Sequence, residues 1–241
     1  IHRLHARRNS SATQSGMGDR RMIMALARKE LRELLPLIIL ALLAQLVVVT
    51  AAMGISVGLL DQPAQVIPFV GRDIIWYTIV VAGLLAVAAG LRQTMWESAQ
   101  GTFQLLLHRP VSRQTIFGTK LAVGAAASVL VLALPVSAYA LWAATPGTHA
   151  SPFYWSMSAW TWQLSVEMPL LYLGAFISGL RSARWYGSRF LPVAGAFVVL
   201  VLISALGLAF SRYVAAITTS FAVDAALVLV IIYIAKSRDF S

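Results

Sequence analysis

The sequence predicts an all-α polytopic membrane protein: six transmembrane helices, an N-terminal amphipathic helix at the membrane surface, and a second amphipathic helix between spans two and three. Three observations carry that expectation. The 241 residues are 59% hydrophobic and only 12% charged, against about 25% charged in soluble domains, and mean hydropathy is +0.77. The apolar residues gather in runs of about 20, the length a helix needs to cross a bilayer. Lys and Arg residues are dense in alternate connections between those runs and sparse in the others, the pattern of the positive-inside bias.

Residues 1–21 are polar and basic, with Ser10, Ser11, Ser15, Gly16 and Gly18 and no apolar period, and are expected to be a mobile tail ahead of one membrane domain over 22–241. The chain opens on Ile1, and Met17 stands just before the first organised segment. Two readings of residues 1–16 stay open, a native extension or residues placed ahead of a start at Met17. From Arg21 to Leu35, Met22, Ile23, Leu26, Leu31, Leu34 and Leu35 oppose Arg21, Arg28, Lys29, Arg32 and Glu33. This reads as a basic helix in the interface plane, with Arg28, Lys29 and Arg32 attracted to anionic lipid.

The six apolar runs are placed at Leu34 to Leu59, Ile74 to Leu91, Leu121 to Ala144, Trp160 to Leu180, Phe190 to Phe210 and Tyr213 to Ala235. Pro36 is tolerable near the start of its run, whereas Pro135 and Pro169 lie inside theirs and are expected to kink them. The segment through Arg32 holds eight Lys and Arg residues, 92–120 four, 181–189 three and the C-terminal tail two, 17 of the 19 in the chain. Arg72 and Arg212 alone fall in the alternate connections. Both termini are therefore expected on the cytoplasmic side of the plasma (inner) membrane, with an even number of spans. Trp142, Phe153, Tyr154, Trp155, Trp160 and Trp162 surround an uncharged outer loop and read as an interfacial aromatic belt, with a stacking platform for substrate as the alternative.

Between spans two and three, Trp96, Phe103 and Leu107 fall at helical spacing, widened by Leu105 and Leu106, while Glu97, Gln100 and Gln104 share another side; Arg109-Pro110 closes the pattern. This is the second amphipathic helix, at 96–107.

Several chemistries are excluded. With no cysteine there is no disulfide, thiol nucleophile or thiolate metal site. No Gly-x-x-x-x-Gly-Lys-Ser/Thr occurs, since Gly118-Thr119-Lys120 is followed by Leu121, so a nucleotide would have to be bound by another subunit. No metal-ligand spacing or His-rich motif is present. The pI of 10.7 reflects membrane orientation rather than nucleic-acid binding, because the basic residues are dealt out between apolar runs. Gly54-Ile55-Ser56-Val57-Gly58 matches a nucleophile-elbow pattern but lies near the outer end of an apolar run, where small residues for helix packing are the simpler reading.

Two acids inside apolar runs carry more weight, because a carboxylate deep in a bilayer costs about 2.5 to 3.5 kcal/mol on insertion scales. Glu167 lies about 10 Å in from Trp160 and Asp224 about 16 Å in from Tyr213. Either they line a polar membrane cavity for a cationic solute or a proton, or polar groups satisfy them at a helix contact. For Glu167, next but one to Pro169, the helix contact is the favoured reading; for Asp224 both stay open.

Leu-Ala-Arg-Lys-Glu-Leu-Arg-Glu-Leu (26–34), Glu97 with Gly101-Thr102, Leu105-Leu106-Leu107, Arg109-Pro110-Val111-Ser112-Arg113 and Lys120 together resemble the membrane subunit of an ABC transporter, the permease of the type 2 exporter class, over nearly the whole chain. The resemblance implies a transport subunit with no catalytic residues and no cofactor of its own, paired with a separate ATP-binding subunit that holds ATP and Mg, and with a second permease copy, identical or a paralogue. It also implies that 96–107 is a cytoplasmic coupling helix. Trp96, Glu97, Gly101, Thr102 and Phe103 would then dock in the ATPase cleft, with Glu97 suiting the positive helix end; Arg109, Arg113 and Lys120 would grip the ATPase or anionic lipid. The alternative is a secondary transporter or channel with a buried carboxylate site at Asp224.

Overall fold

The computed structural model describes residues 2–55, 67–70, 72–96, 112–149, 151–181, 186–210 and 212–237, with the side chains of 2–20, 72–74, 186, 208–210 and 237 outside the description. The described regular structure is helical throughout: α1 (His2–Ala52), α2 (Arg72–Leu91), α3 (Arg113–Ala144), α4 (Ala159–Leu180), the single turn α5 (Tyr186–Arg189), α6 (Leu191–Phe210) and α7 (Tyr213–Ser237). Five stretches are long and apolar enough to cross a membrane: Arg21–Ala52, Ile75–Trp96, Arg113–Ala144, Trp155–Leu180 and Tyr213–Lys236. The described apolar part of α6, Leu191–Gly207, is shorter.

Three boundaries differ from expectation. The first is α1, which runs unbroken for 51 residues, about 76 Å, so neither the tail at 1–21 nor the interfacial helix at 22–35 is set off as a separate element. Ala6, Arg7, Arg8, Gln14 and Arg20 are good helix formers, Gly16 and Gly18 cost only about 1 kcal/mol each, and the one proline of the helix is Pro36. The second is the C-terminal end of α1, expected at Leu59 and found at Ala52. Gly54 adopts a left-handed conformation (φ 78°); its N–H donates to Ala51 O and the Ile55 N–H to Thr50 O, each at 3.0 Å. That pair of bonds is a Schellman stop, so Gly54 ends the helix rather than packing inside it. The third is the C-terminal end of α2, where Arg92–Trp96 continues the helix as a widened π-type turn. Trp96, expected to open the amphipathic helix, is the exposed last residue of that turn.

The bundle is built around α4. Every residue from Met168 to Leu180 is buried, and α2, α3, α6 and α7 all pack on it, with α1 packed against α2 and α3. Close approach is made possible by glycines. A side chain at Gly90 would stand 2.6 Å from Tyr172 O and 2.8 Å from Phe176 N, and one at Gly174 would stand 2.5 Å from Ala196 Cβ. The start of α6 is held by α4 directly, because Ser178 Oγ accepts from the Val193 N–H at 3.1 Å and satisfies a donor the first helical turn leaves free. Pro135 and Pro169 lie inside α3 and α4, as expected, and both are buried.

Candidate functional site

The buried stripe of α1 runs through Glu30, Leu34, Ala41, Gln45, Val48 and Ala52, spaced by three, four or seven residues as one helix face requires. Its membrane part is apolar except for Gln45, which donates to Thr78 O at 2.8 Å. Its first member is a carboxylate. In α3 the buried face reads Ile116, Phe117, Lys120, Leu121 and Gly124, so Lys120 also points inward. The π-type turn at the end of α2 carries Gln93 and Thr94 into the interior.

These groups meet. Lys120 Nζ lies 2.8 Å from Glu30 Oε1, with both side chains fully buried. Gln93 Nε2 donates to Glu30 Oε2 at 3.1 Å, and Tyr172 OH of α4 donates to Gln93 Oε1 at 2.6 Å. The Tyr172 hydroxyl also lies 3.0 Å from Lys120 O. The orientation of the Gln93 amide follows from its partners: an ionised carboxylate only accepts, so the amide nitrogen faces Glu30 and its oxygen receives the phenol. Lys29 closes the edge, 3.2 Å from Glu30 Oε1 and 3.1 Å from Glu33 Oε1.

Two glycines make the junction possible. A Cβ at Gly124 would lie 2.2 Å from the Tyr172 ring, and one at Gly179 would lie 1.7 Å from Thr94 Oγ1. Thr94 is fixed in turn by donating to Gly90 O at 2.8 Å. The result is a polar junction joining α1, α2, α3 and α4 at one end of the bundle. It also ties together the two ends of the 97–111 segment, whose structure is outside the described residues.

The second polar cluster lies within the membrane-spanning length. Glu167 is fully buried, accepts from Gln163 Nε2 at 2.6 Å and receives the Ser204 hydroxyl from α6 in a short hydrogen bond. Gly207 of α6 leaves the space that the Gln163 amide fills. Glu167 is thus satisfied at a helix contact, the reading favoured for it in the sequence. Asp224 in α7 has no hydrogen-bond partner at Oδ1 among the described residues.

The remaining expected site residues are placed as follows. Glu97, Gly101, Thr102, Phe103 and Arg109 lie outside the described residues. Arg113 is the exposed first residue of α3, behind a cap in which Ser112 Oγ accepts from the Thr115 N–H at 3.1 Å. Arg28 and Arg32 are exposed, whereas Lys29 is engaged with Glu30 and Glu33. For Lys120 the expectation is corrected: as a fully buried partner of Glu30, it cannot reach out to lipid or to another subunit.

At the opposite end, Tyr139 stacks on Trp142 (5.6 Å, 13°) and tilts against Phe69 at 4.8 Å, while Phe153 meets Trp155 edge-on at 5.4 Å. Tyr154 and Trp155 are exposed, as belt residues are. Among the described residues no group of three His, Asp or Glu side chains is arranged to hold a metal ion.

The sequence reading missed Glu30, Gln93 and Tyr172 as a set with Lys120. The available signal was register: Glu30 is four residues before Leu34, and Lys120 adjoins the apolar run at Leu121. Both therefore sit on the core face of their helices. Comparison with known proteins returned no match, whether to a family model, a curated protein or a solved structure.

Proposed function

We propose that this chain is the membrane-spanning subunit of an ATP-driven exporter of the ABC type, working as a dimer with a separate ATP-binding subunit that carries ATP and Mg. One observation supports this reading above the others. The segment 97–111, which holds the amphipathic pattern, leaves the bundle three residues after Thr94 and re-enters at α3, and both flanks are locked to α1 and α4 by the Glu30, Gln93, Lys120 and Tyr172 junction. A push on that segment is delivered to the central helix rather than dissipated in a loose loop. A coupling element needs that property. In this reading α6, at 20 residues or about 30 Å, is the sixth span, both termini are cytoplasmic, and the junction faces the cytoplasm.

The test is Glu97→Arg, which places a cation at the positive end of the amphipathic helix and alters its docking surface together. Transport and solute-stimulated ATP hydrolysis are expected to fall together, with expression unchanged, relative to a matched Gln65→Arg control in the outer connection. Activity equal to that control would turn the reading toward a secondary transporter or channel. That second reading draws on Asp224, whose Oδ1 has no partner among the described residues.

A further inference from the structure

Outside both polar clusters, α1 and α3 part along one side to leave a groove of about 460 Å³. Its floor is Ala127 and Val131, its rims are Leu31 and Leu35 on one helix and Leu130 and Leu134 on the other, and Met24, Ala27 and Arg28 line one end. The two helices run parallel here, since Glu30 faces Lys120 and Ala41 packs with Val131. From Val123 to Leu134 the α3 wall rises about 16 Å, which is half of a hydrocarbon core about 30 Å thick, the depth of one leaflet. Arg28, five residues before the α1 position level with Val123, falls beyond that apolar length, where headgroups begin.

Lys29 is held by Glu30 and Glu33, and Lys120 by Glu30, whereas no described carboxylate pairs with Arg28, nor with Arg21 or Arg32. We propose that the groove seats one acyl chain of an anionic phospholipid, with the lipid phosphate against the Arg28 guanidinium. Shape and charge agree on this occupant. The walls offer only carbon to the chain, the wall length matches one leaflet, and the Arg28 cation, with no partner carboxylate among the described residues, sits where the phosphate of such a lipid lies. This holds whether or not the chain couples to an ATPase, so its failure is separable from failure of the functional reading.

The experiment is native mass spectrometry of the purified chain exchanged into phosphatidylglycerol or phosphatidylcholine of matched acyl chains, with binding followed by lipid titration. The expected result is one tightly retained phosphatidylglycerol per chain, preferred over phosphatidylcholine about fivefold. Arg28→Gln should abolish the preference while leaving residual binding of both lipids. Ala126→Phe, at an exposed lining position, should lose the tight site for both. Equal retention of the two lipids by the native chain, or a preference that survives Arg28→Gln, would overturn the assignment. So would lipid retention unchanged by Ala126→Phe, or a dimer that Ala126→Phe dissociates while lipid stoichiometry stays fixed, which would give the groove to a second copy.

Discussion

Removing one member of the Glu30 and Lys120 pair should destabilise the protein far more than removing both. Each side chain is fully buried and they meet at 2.8 Å, so a single replacement removes the opposite charge from a buried one, at a cost of about 3 to 5 kcal/mol. Lys120→Met should fall near the lower figure, because Glu30 keeps Lys29 at 3.2 Å and Gln93 at 3.1 Å. Glu30→Leu should fall near the upper one, because it takes from the buried Lys120 ammonium its partner at 2.8 Å and from the Gln93 amide the acceptor at Oε2. The double variant removes both charges and should cost about 2 to 3 kcal/mol less than the sum. Reversible unfolding in mixed micelles titrated with SDS, followed by tryptophan fluorescence, gives the three values. Additivity of the two single changes to within about 0.5 kcal/mol would refute the buried pair, and with it the junction as a rigid link.

Further outcomes follow from other contacts. Gly124→Ala should displace the Tyr172 ring, which its Cβ would overlap at 2.2 Å, and cost about 1 to 3 kcal/mol; adding Tyr172→Phe to it should cost little more, and full additivity in unfolding would separate the two sites. Glu167→Gln should be tolerated, whereas Glu167→Leu should lose about 1 to 3 kcal/mol by stranding the Ser204 hydroxyl and the Gln163 amide; equal unfolding midpoints for the two variants would contradict the helix-contact reading. Because the chain has no native cysteine, single cysteines report topology without background: one at Thr145 should react with an impermeant maleimide in intact cells and one at Gln114 should not. The reverse pattern would invert the proposed orientation.

The helical class and the membrane runs were legible because apolar length alone sets them, and five of those runs reappear as membrane-length helices. Ends were harder to read, since Gly54 in an apolar run looks the same whether it packs a helix face or stops it. Only its left-handed φ decides between them. The polar junction was illegible for a different reason. Glu30 and Lys120 are 90 residues apart and each stands beside other charges of its own segment, so spacing could not tell Glu30 from Glu33, or Lys120 from Arg113. Burial separates them: Glu30 and Lys120 are enclosed, while Glu33 and Arg113 reach solvent. Glu167 was easier, because an acid within an apolar run has few options, and its partners arrived from its own helix and from Ser204.

The enclosure of α4 bears on the order in which the protein is made. Trp155–Leu180 has the lowest mean hydropathy of the five membrane-length stretches, 1.2 against 2.7 for the first, and it carries Gln163 and Glu167 into the bilayer. When this helix leaves the ribosome, Ser204 and Gly207 have not yet been synthesised, so its acid and amide meet lipid without the partner that later holds them. Such a segment resides poorly in hydrocarbon by itself. Its retention beside the insertion machinery until α6 emerges is the expected course. Truncation of the chain before residue 191 should therefore release α4 from the membrane or mark it for degradation, even though the helix is long enough to span.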